Sequence, residues 1–152
     1  MSWIIRAVEH SDGSHVLLYW LRSKSGKKVA YQATGHGVNF CGTPMLEAHH
    51  EIMHITKFQI SDEAFDSCMD YCIDNSDKPY SCMHIIGLGL VRLFSLFHIK
   101  ISNPFRDGET SQVCVETYLR ALIAAGINTG LDPELTGIKE VEMDIINRGQ
   151  VA

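Results

Sequence analysis

The chain has no basic surplus, no regular cysteine framework and only four prolines. Thirteen Lys and Arg stand against 18 Asp and Glu in 152 residues, a formal net charge of −5 with the histidines neutral. On net charge such a chain makes a poor general binder of nucleic acid or anionic membranes, which need clustered cations. Nucleic acid is therefore not an expected partner. The five cysteines (Cys41, Cys68, Cys72, Cys82 and Cys114) are odd in number and lack the spacing of a secreted disulfide scaffold. Residues 1–10 carry neither a long apolar core nor a small-residue cleavage site. That predicts cytoplasmic synthesis.

Metal-binding spacing is also missing. Cys68 and Cys72 lie one helical turn apart, and His49, His50 and His54 crowd one stretch. There is no CxxC, no HExxH and no second pair at finger spacing, so packing is the expected role and no metal or cofactor is implied. The segment GLGL at Gly87–Leu90 lacks the third glycine and the Lys-Ser/Thr pair of a phosphate loop; its glycines suit close packing instead. The longest apolar stretch, Met83–Ile101, could reach across a bilayer. Arg92 at its centre costs ~2.5–3.5 kcal/mol on insertion scales, and His84, His98 and Lys100 add to that. A buried helix or helix pair is expected, with no stable membrane span.

No repeat, low-complexity tract or linker divides the chain, which predicts one domain over residues 1–152. Short β-rich runs come first. Trp3–Val8 and His15–Leu21 read as strands, Ser25-Gly26 as a hairpin turn, Val29–Thr34 as the returning strand, and His50–Ile60 as a further strand. Both faces of His15–Leu21 are apolar, so cover on both sides is expected. Helical patterning follows. Ser61 is a candidate N-cap with Asp62 and Glu63 in the first turn, and Phe65, Cys68, Met69 and Cys72 recur at helical spacing. Ser111 is a second candidate N-cap, which puts Cys114 at the third helical position and Gly126 just past the helix end. A last short helix is expected after Pro133. Strands before helices predict an α+β fold with an antiparallel sheet.

Cys114 is the sharpest chemical candidate. A thiol in the first turn of a helix lies near unpaired backbone N–H groups and the positive end of the macrodipole, both of which favour thiolate. The same N–H groups can receive an oxyanion. The competing reading is a small buried hydrophobe. His15 is its natural partner, because an imidazole on a covered strand must find a hydrogen bond or lose roughly 1–3 kcal/mol. A general base needs a third group to fix its tautomer. A two-residue turn at Ser25-Gly26 would set His15 opposite His36, whereas a longer connection would bring Gln32 across from it. Gly35 and Gly37 flank His36 and disturb regular pairing, which favours Gln32. Tyr80, after Pro79 and at the head of the apolar helix, can present a hydroxyl to a site.

Taken in order, Ser14-His15-Val16, a hairpin, YQATGHGV, KPY before an apolar helix, and CVETYLRALIAAG resemble one family. It is the circularly permuted branch of the NlpC-type papain-like superfamily, which includes the lecithin–retinol acyltransferase-like proteins. Small bacteriophage-encoded members are similar in length and in the histidine–hairpin–Gly-Val pattern. The resemblance runs from about Trp3 to Asn147 and rests on order and spacing rather than on one motif. It implies a permuted papain-like domain, a small antiparallel sheet flanked by helices. It further implies Cys114 as nucleophile, His15 as base, Gln32 in the place of a polar orienter and Tyr80 in that of a site-lining tyrosine. Val115 departs from the family's usual serine. The activity implied is that of a cysteine hydrolase, peptidase or acyltransferase acting on a peptide, peptidoglycan or acyl substrate. The alternative is a catalytically inactive papain-like module that binds a partner or belongs to a virion.

Overall fold

The computed structural model describes residues 13–21, 28–42, 51, 53–105 and 110–148. Within them three strands precede four helices: β1 (Leu18–Leu21), β2 (Lys28–Thr34), β3 (Gly37–Gly42), α1 (Asp62–Asp74), α2 (Cys82–Ser95), α3 (Cys114–Ala124) and α4 (Ile138–Asn147). The strands form an antiparallel sheet in the order β1-β2-β3, so the architecture is α+β. The expected strand Trp3–Val8, the Ser25-Gly26 turn, His49 and His50 lie outside the described residues.

The hairpin register falls between the two alternatives. Leu18 pairs with Tyr31 and Leu21 with Lys28. Continued by three residues, that register sets His15 opposite Thr34, on the same face as Gln32 because side chains alternate along a strand. Gly35 and His36 form a tight turn, after which Thr34 pairs with Gly37. Gly37 takes φ 103°, a conformation that glycine adopts without steric cost. The turn thus leads into β3, a strand that the Gly-His-Gly sequence had concealed. The reading of His50–Ile60 as a strand is corrected, since residues 53–60 form none. β3 takes the position beside β2, and the 53–60 segment reaches α4 instead, with His54 Nε2 3.2 Å from Glu142 Oε1.

β2 is buried on both faces at Ala30–Ala33, whereas among the described residues β1 lies at the edge of the sheet. Val16, just before it, is buried, whereas Tyr19 is exposed, so the expected cover on both sides is not complete. The face of the sheet carrying Tyr31, Ala33 and Val38 meets Cys68 and Cys72 of α1 and Val115, Leu119 and Leu122 of α3 in one core. Phe40 packs its ring 5.1 Å from that of Tyr31 and 6.1 Å from that of Trp20, joining all three strands on this face. α3 is the central helix. Eight of its eleven residues are buried and only Ile123 is exposed, so the helix is covered over most of its surface.

Caps explain most helix ends. The Ser61 hydroxyl accepts from the Ala64 N–H at 3.2 Å, and Ser81 serves His84 likewise. Gly126 follows the end of α3 with φ 73°, its N–H donating to the Ile123 carbonyl at 2.9 Å. α2 stops at Ser95, short of the expected Met83–Ile101 extent. Among the described residues no helix is long and apolar enough to cross a membrane. At Gly87 a Cβ would overlap the carboxamide of Asn103, so this glycine does permit close approach, of a side chain from the following loop. The start of α3 requires a correction: Val113, extended at φ −104° and ψ 164°, is the N-cap, and Cys114 is the first helical residue. Ser111 cannot cap, because Gln112 is held extended in a bridge to Tyr80.

Candidate functional site

The site is assembled by contacts between segments far apart in sequence. A Cβ on Gly37 would stand 2.8 Å from the Lys78 carbonyl oxygen. The Val38 N–H donates to that oxygen at 2.9 Å, and the Asp77 N–H donates to the Val38 carbonyl at 2.8 Å. The sheet is thereby stitched to the segment that leads through Pro79 to Tyr80. Tyr80 in turn runs parallel to Gln112: the Gln112 N–H donates to the Pro79 carbonyl at 3.1 Å and the Ser81 N–H to the Gln112 carbonyl at 3.2 Å.

Gln112 is fully buried and satisfied on every side. Its Nε2 donates to the Tyr71 hydroxyl at 3.0 Å and to Asn75 Oδ1 at 3.4 Å, while its Oε1 accepts from the Thr117 hydroxyl at 3.1 Å. It fixes the entry to α3 against α1. Nothing in the local sequence marks Gln112, since its partners lie as many as 41 positions away.

Cys114 and Tyr80 are neighbours at this junction, close enough for the sulfur to act on the phenol. Burial pushes the Tyr80 phenol well above its ordinary range, and the neighbouring Cys114 and Cys82 sulfurs add to the shift. The hydroxyl therefore stays protonated and available as a donor. Cys114 is 4% exposed. Beside it lies a cleft with about 20 Å³ of room for water-sized molecules, lined by Tyr80, Ile85, Leu88, Val113 and Val115 and by residues 136–138. That volume holds about one water.

Glu116, two residues on, was not singled out by the sequence. It is buried, accepts from the Val113 backbone N–H, and receives the Arg120 Nε–H at 2.9 Å. Burial holds its carboxyl above the usual range, with the Arg120 guanidinium pulling the other way. When ionised, this carboxylate offsets part of the positive field that the helix start exerts at Cys114.

The second half of the site is on the sheet. His15 Nε2 lies 3.1 Å from Gln32 Oε1, and Gln32 Nε2 donates to the Cys41 sulfur at 3.2 Å. The amide thus spans the two, its oxygen toward the imidazole and its nitrogen toward Cys41. An amide oxygen only accepts, so this bond is made by the tautomer with the proton on Nε2. His36, the other partner weighed for His15, sits exposed in the β2–β3 turn with its backbone N–H 3.3 Å from the Thr34 hydroxyl.

The four expected residues thus come together two by two, His15 with Gln32 and Cys114 with Tyr80. Among the described residues none of the sheet lines the cleft beside Cys114. β2 alternates Tyr31 toward the α1–α3 core and Gln32 toward the opposite face. α3 nonetheless packs on β2, the strand that carries Gln32. Cys68 and Cys72 are both buried in the core and hydrogen-bonded to each other, which, with burial, drives the Cys72 thiol strongly upward. Among the described residues no group of three or more His, Cys, Asp and Glu is placed to hold a metal ion. Comparison with protein-family models, curated proteins and solved structures gives no significant match.

Proposed function

We propose that the chain is a cysteine hydrolase or acyltransferase of the permuted NlpC-type papain-like kind, with Cys114 as nucleophile and His15 as base. The observation that supports the reading is the His15 Nε2 to Gln32 Oε1 hydrogen bond, which gives the imidazole the polar orienting partner that a histidine base needs. In this reading Nδ1 removes the Cys114 proton and the thiolate attacks an amide, thioester or ester carbonyl. The Tyr80 hydroxyl and the first N–H groups of α3 receive the oxyanion. His15 then protonates the leaving group, and water or an acceptor amine releases the acyl group from sulfur. A cleft with room for one water means that a substrate carbonyl must widen it, and residues 136–138 form the wall that would give.

The buried thiol and its narrow cleft favour a second reading, a domain of the same architecture that binds without catalysis. Alkylation of Cys114 as a function of pH separates the two. Under the catalytic reading Cys114 alone among the five cysteines reacts rapidly below neutrality, and His15→Ala abolishes that reactivity. A Cys114 that titrates like an ordinary thiol, near ~8.5, in both proteins overturns the catalytic reading.

A further inference from the structure

The end of α2 carries a surface that the catalytic reading does not use. Residues 93–100 are exposed without interruption, and five of the eight are large and apolar: Leu93, Phe94, Leu96, Phe97 and Ile99. Leu96 and Phe97 are the most open, at 76% and 68%. Met83 and Ile86 extend the exposed apolar strip back along the helix. Soluble domains rarely leave so much contiguous apolar area uncovered without a partner for it.

This tip is built rather than frayed. His98 adopts φ 59°; the His98 N–H donates to the Ser95 carbonyl at 3.0 Å and the Ile99 N–H to the Phe94 carbonyl at 3.1 Å. Those two bonds, around a left-handed residue, make a complete Schellman closure, so the chain turns back sharply and holds Leu96 and Phe97 at the apex. Exposure on all sides of an apex suits insertion into a fluid medium better than contact with a flat protein face.

Charge selects the medium. Residues 78–105 contain three Lys and Arg (Lys78, Arg92 and Lys100) and no Asp or Glu, in a chain of net charge −5. Arg92 bonds Glu140 at 3.1 Å, whereas Lys100 stands exposed two residues past the turn. An apolar apex with an exposed cation at its base, on a segment that carries no carboxylate of its own, matches the acyl and headgroup layers of an anionic bilayer. We propose that Leu96 and Phe97 insert shallowly into anionic lipid membranes, with Lys100 at headgroup level. The chain would lie on the bilayer without crossing it, and the inference stands whether or not Cys114 is catalytic.

Flotation of the full chain with vesicles tests it. The protein should float with vesicles of equimolar phosphatidylcholine and phosphatidylglycerol and remain behind with phosphatidylcholine alone. Leu96→Ser with Phe97→Ser should lower the partition by about a hundredfold, and Lys100→Ala by about fivefold. Because both serines replace exposed residues, the circular dichroism spectrum should not change. Should that double variant fail to fold, Phe97→Trp gives the same answer: its emission shifts to the blue with the anionic vesicles only. The proposal is overturned if neither vesicle floats the protein, or if the double serine variant floats as well as the parent. It is equally overturned by a parent dimer that the double variant dissociates and that ignores both vesicles.

Discussion

Gln32→Leu is the most direct probe of the sheet half of the site. The substitution keeps the bulk of the side chain and removes the acceptor 3.1 Å from His15 Nε2. A neutral hydrogen bond of this kind is worth ~0.5–1.5 kcal/mol net, and one with a charged partner ~1.5–3 kcal/mol. Gln32 therefore stabilises the imidazolium over the neutral ring by roughly 1 kcal/mol, which is about a fivefold change in population. If Cys114 ionises by passing its proton to His15, the reactive thiolate–imidazolium form falls by the same factor. Alkylation of Cys114 at neutral pH, resolved from the other four cysteines by mass spectrometry, should slow about fivefold. Gln32→Glu supplies a stronger acceptor and should move the rate in the opposite direction.

The double variant decides whether the effect passes through His15. In a His15→Ala background Gln32→Leu should change nothing, because the bond it removes no longer exists. Equal alkylation rates for the parent and Gln32→Leu would refute the orienting role. A slowing that persists without His15 would show that Gln32 acts on the fold around Cys41 instead, through the 3.2 Å bond its amide makes there.

Three further outcomes follow from the packing. Gly87→Ala should destabilise the protein by about 2–4 kcal/mol even though alanine favours a helix by ~1 kcal/mol. Its Cβ displaces Asn103 from the His84 carbonyl and the Phe105 N–H, and an unchanged urea midpoint would contradict that. Glu116 has a folded pKa raised chiefly by burial, so its contribution to stability is full below the ordinary carboxylate value and is lost as pH rises through the folded one. Glu116→Gln should therefore flatten the melting temperature against pH in the mildly acidic range, and parallel curves for the two proteins would count against it. Gly37→Ala combines an unfavourable φ with a Cβ 2.8 Å from the Lys78 oxygen. It should lower the melting temperature and, in the catalytic reading, slow Cys114 alkylation in the population that remains folded.

What the sequence revealed was local. Ser61 with Asp62 and Glu63 announces α1, Gly126 marks the end of α3, and the succession of strand-like and then helical patterns gives the α+β architecture. Each of those signals lies within a few residues of the feature it specifies. The misreadings were non-local. Residues 53–60 have strand-like composition, but the place beside β2 is filled by β3, whose turn needs the positive φ of Gly37. Ser111 has the chemistry of an N-cap, yet the bridge between Tyr80 and Gln112, some thirty positions apart, keeps the chain extended for two residues more. The same limit applies to the site. Cys114, His15, Gln32 and Tyr80 could be singled out by residue type and order, whereas Gln112, which fixes the entry to α3, becomes visible only once distant segments are in contact.

That dependence on distant contacts bears on how the two halves could act as one. His15 and Gln32 belong to the sheet, and Cys114 and Tyr80 belong to the junction ahead of α3. Their relative position is set by a chain of backbone bonds, from Val38 to Lys78 and from Pro79 to Gln112, together with the packing of α3 on β2. Backbone bonds of this kind leave little room for adjustment by side-chain rotation. A pair meant to pass a proton requires a heavy-atom separation of about 2.6–3.2 Å, held or reached on binding. His15, bonded to Gln32, shares with it the sheet face turned away from the α1–α3 core, so the catalytic reading requires the two halves to approach each other when substrate binds. In that reading a substrate that widens the cleft would reach Cys114, and the Gln32 amide would hold the tautomer in which Nδ1 accepts the proton. A domain used only for binding has no need of a fixed tautomer, so the chemical state of His15 is the property on which the two readings diverge.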